Sequence, residues 1–296
     1  MEPSRAWVTD ERVEVEGRTW AVRQSGDPLG RPVVYFHGTP SSRLEPAFAD
    51  AAAADLGIRL VAFDRPGYGG SSPGAFDLTS LAASTGNLAD RLAVERFGVL
   101  GQSGGGPFAL ACGAVLGDRV TRVGVCGGAV PFQLMPGALD LLDDNDIAAV
   151  ALLPDRIAAA AGFARGFEPF REMLRAGDQQ VLNGFRQRCS PRDRVVLDRA
   201  GVGATLVAAF RASMAQGTDG AGWDNAAWVG PWDIDLGAVR RPVDLWYGGE
   251  DPFAPVGAGP WLAEHLPDAT LHPRSHDGHL GVIEHTREIL GALLAD

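Results

Sequence analysis

The chain has 296 residues, of which 46% are hydrophobic, and a formal net charge of −11 at pH 7, a composition typical of a folded globular protein. The negative charge argues against nucleic acids and anionic membranes as partners, because both bind basic surfaces. The 26 basic residues counted as Lys or Arg are all arginine. Chemistry that needs a lysine, such as a Schiff base with pyridoxal phosphate or a P-loop, is therefore excluded.

The sequence contains no pattern typical of export, membrane insertion or disulfide formation. Its first residues, MEPSRAW, lack the basic stretch and apolar run of a signal peptide. No apolar stretch approaches the roughly 20 residues of a membrane-spanning helix. The cysteines, Cys112, Cys126 and Cys189, are too few and too scattered for a disulfide framework or a zinc site. We therefore expect a cytoplasmic protein.

A hairpin, four buried strands and three helices are predicted in the first part of the chain. RVEVEGRTWAVRQSG alternates on either side of Gly17, which predicts a β-hairpin from Arg12 to Gln24. Runs that are apolar throughout, rather than alternating, indicate a parallel sheet covered on both faces, with its functional site at the carboxyl ends of the strands. The predicted strands are 32–38, 58–64, 96–103 and 122–128, and the predicted helices are 43–56, 78–94 and 104–116.

The pattern changes between Pro131 and about Asp233, where several helices and no buried strand are predicted. Alternation of strands and helices then returns. The sequence thus predicts an α/β core of residues 1–130 and 234–296, interrupted by a helical insertion at 131–233. The later elements are a strand in VDLWYGG, a helix near 256–265, a strand at ATLHP and one closing helix at 279–294.

Two serines stand in a G-x-S-x-G pattern, Ser103 in GQSGG and Ser72 in GSSPG. Ser103 lies between the buried strand FGVLGQ and the helical stretch GGPFALACGAVL. A sharp strand-to-helix turn exposes a serine hydroxyl and places it at the positive end of a helix. Ser72 has no strand directly before it, and no helix begins there. We therefore predict that Ser103 is a nucleophile and that Ser72 is not.

A serine nucleophile needs a base, and the stretch LHPRSHDGHLGV offers three histidines. His279 is the preferred candidate because it follows the Asp277-Gly278 turn and precedes the last helix, at the carboxyl edge of the sheet. His276 is the alternative. His272, His276 and His279 superficially resemble a metal site, but they do not share one helical face, so no metal is expected.

The remaining parts of the site are an acid and two amide donors. Asp251 follows the strand VDLWYGG at the carboxyl edge of the sheet and is predicted to orient the histidine. A tetrahedral intermediate needs two N–H groups aimed at its oxyanion. Gly104, directly after the nucleophile, and Thr39, in the loop HGTPSSR after the first parallel strand, are predicted to supply them.

The motifs FHGTP, DRPGYGGSS, GQSGGGP, GGEDPFAP and DGHLGV, in this order, resemble the α/β-hydrolase superfamily. The resemblance extends from Glu11 to Asp296 and implies that the insertion at 131–233 is a helical cap. It also implies the same triad of Ser103, Asp251 and His279, structural roles for Asp64 and Arg65, and no cofactor. The alternation of strands and helices and the order Ser, Asp, His agree with it.

The expected function is cofactor-independent hydrolysis of a small-molecule ester, thioester or lactone. Alternatives are a lyase, carbon–carbon bond hydrolase or cyclase that uses the same residues, a proline iminopeptidase-type aminopeptidase, and a ligand receptor with a silent triad. The oligomeric state stays open. Trp223, Trp228 and Trp232 either line the pocket or pack the insertion onto the core. Arg43 meets a substrate carboxylate or pairs with Glu45 or a backbone carbonyl.

Overall fold

The described part of the chain, residues 7–295 of the computed structural model, begins with a β-hairpin. Strands β1 (Trp7–Val15) and β2 (Arg18–Gly26) are antiparallel and longer than the sequence predicts. The turn residues Glu16 and Gly17 both have positive φ, 50° and 76°, as a two-residue hairpin turn of the mirror-image type requires. The prediction about a signal peptide concerns residues outside the described range, apart from Trp7.

Eight strands form one sheet in the order β1-β2-β4-β3-β5-β6-β7-β8. β1, β2 and β4 pair antiparallel, and the pairs from β4 through β8 are parallel. The four apolar runs predicted as strands are β3 to β6, which confirms the parallel core. The strands after the hairpin are β3 (Arg31–Phe36), β4 (Ile58–Phe63), β5 (Phe97–Gln102), β6 (Val120–Cys126), β7 (Val243–Gly248) and β8 (Ala269–Arg274).

Both faces of the sheet are covered because successive residues of each strand point to opposite sides. In β3, Val34 and Phe36 belong to the apolar cluster under α2 and α3, whereas Val33 and Tyr35 belong to the cluster under α1 and α13. The helices that flank the sheet are α1 (Asp50–Asp55), α2 (Leu78–Arg91), α3 (Gly106–Val115), α11 (Ala258–His265), α12 (Gly281–Glu284) and α13 (Thr286–Ala292).

The prediction of one continuous closing helix was wrong. The chain forms two short helices, α12 and α13, which meet at His285, where φ is −105°. The His285 imidazole lies 2.8 Å from the Asp277 carboxylate, in the loop before α12. This contact with an upstream loop accompanies the break in the helix.

Seven helices lie between β6 and β7, and we call them the helical segment. An apolar cluster of the segment includes Leu206 and Phe210, and it also contains Tyr68 and Leu280 from outside the segment. The segment therefore packs onto loops at the carboxyl edge of the sheet. Among residues 7–295, no helix is both long and apolar enough to cross a membrane. The helices of the segment are α4 (Asp144–Val150), α5 (Arg156–Gly166), α6 (Glu168–Met173), α7 (Asp178–Arg188), α8 (Pro191–Leu197), α9 (Val202–Ser213) and α10 (Asp219–Trp228).

Candidate functional site

Ser103 stands at a strained turn between β5 and α3. Its φ is +52°, a left-handed conformation that non-glycine residues adopt rarely and that concentrates at functional sites. A Cβ at Gly101 would collide with the carbonyl oxygen of Gly105, and a Cβ at Gly105 would collide with the carbonyl oxygen of Phe36. The glycines of this G-x-S-x-G pattern are therefore required by the geometry of the turn.

Ser72 has a different environment, in a loop that follows β4. Its hydroxyl oxygen accepts the backbone N–H of Thr19 at 3.0 Å, and its carbonyl oxygen accepts the N–H of Gly67 at 3.2 Å. The first bond ties the loop to the hairpin, and the second closes the loop on itself. The hydrogen bonds of Ser72 thus indicate a structural role in this loop.

Asp251 and His279 form a hydrogen-bonded pair beyond the carboxyl end of β7. Asp251 Oδ2 lies 2.8 Å from His279 Nδ1, and Oδ1 accepts the N–H groups of Phe253 at 2.8 Å and Ala254 at 3.3 Å. Burial acts to raise the pKa of Asp251, but the histidine and the two amides outweigh it and lower the pKa. Burial acts to lower the pKa of His279, yet the neighbouring Asp251 carboxylate raises it.

Three contacts fix the position of the His279 loop. The Gln102 side chain, directly before Ser103, donates to the His279 carbonyl oxygen at 2.9 Å. Asp193 of α8 accepts the N–H groups of His279 at 3.1 Å and Leu280 at 2.7 Å. The histidine backbone is therefore held from the β5 side and from the helical segment.

The other two histidines of the predicted group do not join His279. The His276 side chain is 90% exposed and lies 3.9 Å from Glu250, and His272 Nε2 lies 2.8 Å from Asp244. His37 is also unsuited to act as a base, because burial and the nearby Arg65 lower its pKa well below the usual value.

In the described part of the chain, Asp277, Glu284 and His285 are the one group of residues spaced to hold a metal ion. Glu284 is engaged by two arginines, and Asp277 pairs with His285. Existing contacts explain all three residues, and none of them belongs to the predicted site.

Thr39 and Gly104, the predicted amide donors, lie side by side. The Thr39 side chain occupies the space that a Cβ on Gly104 would need. Within residues 7–295, the Thr39 N–H makes no hydrogen bond, and the Thr39–Pro40 peptide is cis. The Thr39 hydroxyl donates to Asp224 Oδ2 of α10 at 2.6 Å.

Asp64 and Arg65 form the framework of the loops around this site. Asp64 accepts the N–H groups of Arg43 at 2.8 Å and Gly70 at 2.9 Å, and Arg65 is fully buried. The expectation for Arg43 was wrong, because its guanidinium pairs with Asp64 at 2.6 Å and Asp10 at 3.0 Å. These partners are distant in sequence and brought close by the loop, whereas Glu45 is turned toward Tyr35 and Gly38.

A cavity of about 140 Å³ opens beside Ser103 and His279. Its wall is mainly apolar, and phenylalanines from α6, α7 and α9 contribute much of it. The lining also includes two charged side chains, the buried Glu45 and Arg188. Residues of the lining that sequence reasoning missed are Tyr35, Glu45, Phe48, Phe170, Phe185, Arg188, Leu206, Phe210, Phe253, Val282 and Ile283.

The two ionisable side chains of the cavity differ in their surroundings. Burial raises the pKa of Glu45, whose Oε1 accepts the Tyr35 hydroxyl at 2.7 Å and the Gly38 N–H at 3.1 Å. Arg188 lies 5.4 Å from the centre of the Phe253 ring and forms no ion pair with any described residue. Nothing in the local sequence distinguishes Arg188 from the other arginines nearby.

The three tryptophans do not line this cavity. Trp223, Trp228 and Trp232 pack against the apolar cluster of the core, and Trp232 Nε1 donates to the Trp228 carbonyl oxygen at 2.8 Å. Of the two interpretations of these residues, packing onto the core is therefore correct. Phenylalanines supply the aromatic lining instead.

Comparison with known proteins agrees with this architecture. Poly(3-hydroxyalkanoate) depolymerase of Ectopseudomonas oleovorans is 25% identical over 262 residues, which are 87% of this chain and 81% of that protein. The 2-hydroxymuconate semialdehyde hydrolase of Pseudomonas putida is 24% identical over 263 residues, 86% of this chain and 83% of that protein. A pimeloyl-[acyl-carrier protein] methyl ester esterase of Chromobacterium violaceum is 40% identical over 57 residues, which are 19% of this chain and 22% of that protein.

Solved structures show the same fold at lower identity. Bromoperoxidase from Bacillus anthracis superposes with a TM-score of 0.72 at 19% identity, covering 97% of this chain and all of that one. The enol-lactonase from Burkholderia xenovorans superposes with a TM-score of 0.67, also at 19% identity and with the same coverage. A family model described as the alpha/beta hydrolase fold matches residues 31–286. The chain therefore belongs to the alpha/beta hydrolase fold family.

Proposed function

We propose that this protein is a serine hydrolase that cleaves a small ester, thioester or lactone through an acyl-enzyme. The observation that carries the proposal is the hydrogen-bonded pair of Asp251 and His279 on the same cavity as Ser103, whose backbone is strained in the manner of a nucleophile elbow. Relatives named as esterases and other hydrolases agree with it. The helices at 131–233 are proposed to act as a cap.

In this mechanism Ser103 attacks the substrate carbonyl while His279 takes its proton. Asp251 holds His279 Nδ1, so that Nε2 is the free basic nitrogen, and its charge stabilises the imidazolium that forms. The amides of Thr39 and Gly104 donate to the oxyanion of the tetrahedral intermediate. His279 then returns the proton to the leaving group, and water releases the acyl group by the same steps.

The lining of the cavity supports an apolar acyl group. Its wall is formed by aromatic and aliphatic side chains, among them Phe185, Phe210 and Leu206. Apolar surface removed from water contributes to binding in proportion to its area. Short alkyl esters are therefore the first substrates to examine.

The proposal is tested by pre-steady-state hydrolysis of p-nitrophenyl butyrate with the wild type, Ser103→Ala and Ser72→Ala. Ser72→Ala is a matched control, because it changes the other G-x-S-x-G serine. A burst stoichiometric with enzyme in the wild type and in Ser72→Ala, absent from Ser103→Ala, supports an acyl-enzyme on Ser103. Hydrolysis that survives Ser103→Ala would refute the proposal.

Glu45 favours a second candidate, cleavage of a carbon–carbon bond in a keto substrate. Ester hydrolysis needs no acid beyond the triad, yet this carboxyl faces the cavity, and its burial raises its pKa above the usual value. A protonated carboxyl donates a hydrogen bond or a proton to a substrate. Turnover of a vinylogous 1,5-diketone, lost in Glu45→Gln while butyrate ester hydrolysis persists, would identify this activity.

A further inference from the structure

Two carboxylates of the helical segment are completely buried against the loops of the candidate site. Asp193 of α8 and Asp224 of α10 both have 0% exposure. Aspartate is seldom fully buried without partners, because removing its charge from water is costly. The partners of each carboxylate therefore indicate what it does.

Asp224 holds the loop that carries Thr39. Its Oδ2 accepts the hydroxyl groups of Thr39 at 2.6 Å and Tyr68 at 2.7 Å, and its Oδ1 accepts Arg65 Nε at 2.8 Å. A second guanidinium nitrogen of Arg65 also pairs with Oδ2. Arg65 in turn donates to the carbonyl oxygens of His37 at 2.6 Å and Gly38 at 3.1 Å. The backbone directly before the Thr39 amide is thus tied to α10 through Arg65, and the Thr39 side chain is tied to α10 directly.

Asp193 holds the loop that carries His279. As the third residue of α8 it forms a capping box with Ser190, whose N–H it accepts at 3.3 Å. The same carboxylate accepts the backbone N–H groups of His279 and Leu280. Residue 278 must be glycine for the Asp193 carboxylate to fit here, because a Cβ at this position would collide with Asp193 Oδ2. The capping residue of a helix in the segment therefore also positions the proposed base.

We propose that Asp193 and Asp224 are positioning residues through which the docked helical segment holds the His279 loop and the Thr39 loop in their catalytic arrangement. The inference rests on the proposed function of Ser103, His279 and Thr39. It makes the segment part of the catalytic apparatus, in addition to any role in covering the cavity. Catalysis then depends on docking of α8 and α10, with each carboxylate holding a different loop of the site.

Substitutions at Thr39 test the role of Asp224 while the Arg65–Asp224 ion pair stays in place. Removal of the Thr39 hydroxyl also removes its longer contact with Arg65 Nη2, at 3.2 Å. Thr39→Val keeps the shape and the amide of residue 39 but removes the hydroxyl that Asp224 accepts, whereas Thr39→Ser keeps that hydroxyl. Since misplacement by about 1 Å costs about 100-fold, Thr39→Val is expected to lower the burst rate constant by about 10- to 100-fold. The KM should change little, and Thr39→Ser should restore most of the loss. Equal rates for Thr39→Val and the wild type, or equal losses in both variants, would overturn the role of Asp224.

The Asp193 arm uses Asp193→Asn, with Asp198→Asn as the matched control. Asp198 lies at the end of the same helix and pairs with Arg186 at the surface. Asp193→Asn is expected to lower kcat with little change in KM, because the base moves relative to Ser103. Of the carboxylates that act on His279, namely Asp251, Asp193 and Glu45, only the charge of Asp193 is removed. The acid limb of kcat/KM should therefore shift to lower pH.

The controls separate this inference from the proposed function. Circular dichroism and thermal unfolding identify a temperature at which every variant is folded, and all assays are run at that temperature. The Thr39 variants decide the role of Asp224 independently of Asp193→Asn. A folded Asp193→Asn with the kcat and pH profile of Asp198→Asn would overturn the role of Asp193. Absence of a Ser103-dependent burst in the wild type would instead refute the proposed function.

Discussion

The acyl-chain preference of the enzyme follows from the size and lining of its cavity. The cavity measures about 140 Å³, and an apolar cavity of about 150 Å³ holds a benzene molecule, with six carbon atoms. Each buried methylene contributes about 0.8 kcal/mol, or about four-fold in kcat/KM at 25 °C. From acetate to hexanoate, four methylenes amount to about 3 kcal/mol, or about 200-fold. We expect kcat/KM to rise over this range and to level off or fall beyond it.

Phe185→Ala should move this optimum to longer chains, because the Phe185 ring forms part of the wall. The ring stacks on Phe253 at 6.1 Å and meets Phe210 edge-on at 5.2 Å. Phe167→Ala is the matched control, since Phe167 packs against the same apolar cluster without lining the cavity. The assay is kcat/KM for p-nitrophenyl esters from acetate to decanoate. A flat profile from acetate to hexanoate, or identical profiles for the two variants, would refute this reasoning.

Three further predictions concern charged residues. Because the Asp251 carboxylate raises the pKa of His279 above its usual value, kcat/KM of the wild type should decline as the pH falls through this raised pKa. Asp251→Asn should move this acid limb of the pH–rate profile to lower pH and reduce kcat by about 10⁴-fold. An acid limb that does not move would contradict this prediction. Asp224→Asn should lower the free energy of unfolding, measured by urea denaturation, by about 3–5 kcal/mol, because the buried Arg65 charge loses its partner. The control Asp219→Asn, at the exposed start of the same helix, should lose much less. Arg188→Gln should reduce kcat/KM for a hemisuccinate ester more than for the matching neutral butyrate ester. The reason is that Arg188 lines the cavity without a carboxylate partner among residues 7–295. An equal reduction for both esters would show that Arg188 does not recognise anions.

Much of the fold and the core of the site could be predicted from the sequence because they depend on local patterns. Continuous apolar runs identified β3 to β6, and the glycines around Ser103 identified a turn that tolerates no side chain there. Asp251 and His279 were placed by the loops that follow strands at one edge of the sheet, and the structure brings them to 2.8 Å. Their catalytic roles stay predictions that the experiments above test.

The remaining features depend on contacts between residues far apart in the chain. Asp193 contacts His279, and Asp224 contacts Thr39, only because α8 and α10 dock against the site loops. No local sequence pattern encodes this docking. The phenylalanine lining arises in the same way, from helices whose apolar faces turn toward the cavity. Arg43 is a second example. The sequence predicted a nearby partner such as Glu45, but its partners are Asp10 and Asp64, which are distant in the sequence.

The most direct test of the central claim is to locate the acyl group on the enzyme. The wild type is mixed with p-nitrophenyl butyrate, quenched in acid within the burst phase, digested and analysed by peptide mass mapping. The account predicts a butyryl group on the peptide that contains Ser103, lost in Ser103→Ala and retained in Ser72→Ala. A butyryl group on another residue, or turnover with no acyl-enzyme formed at Ser103, would contradict it.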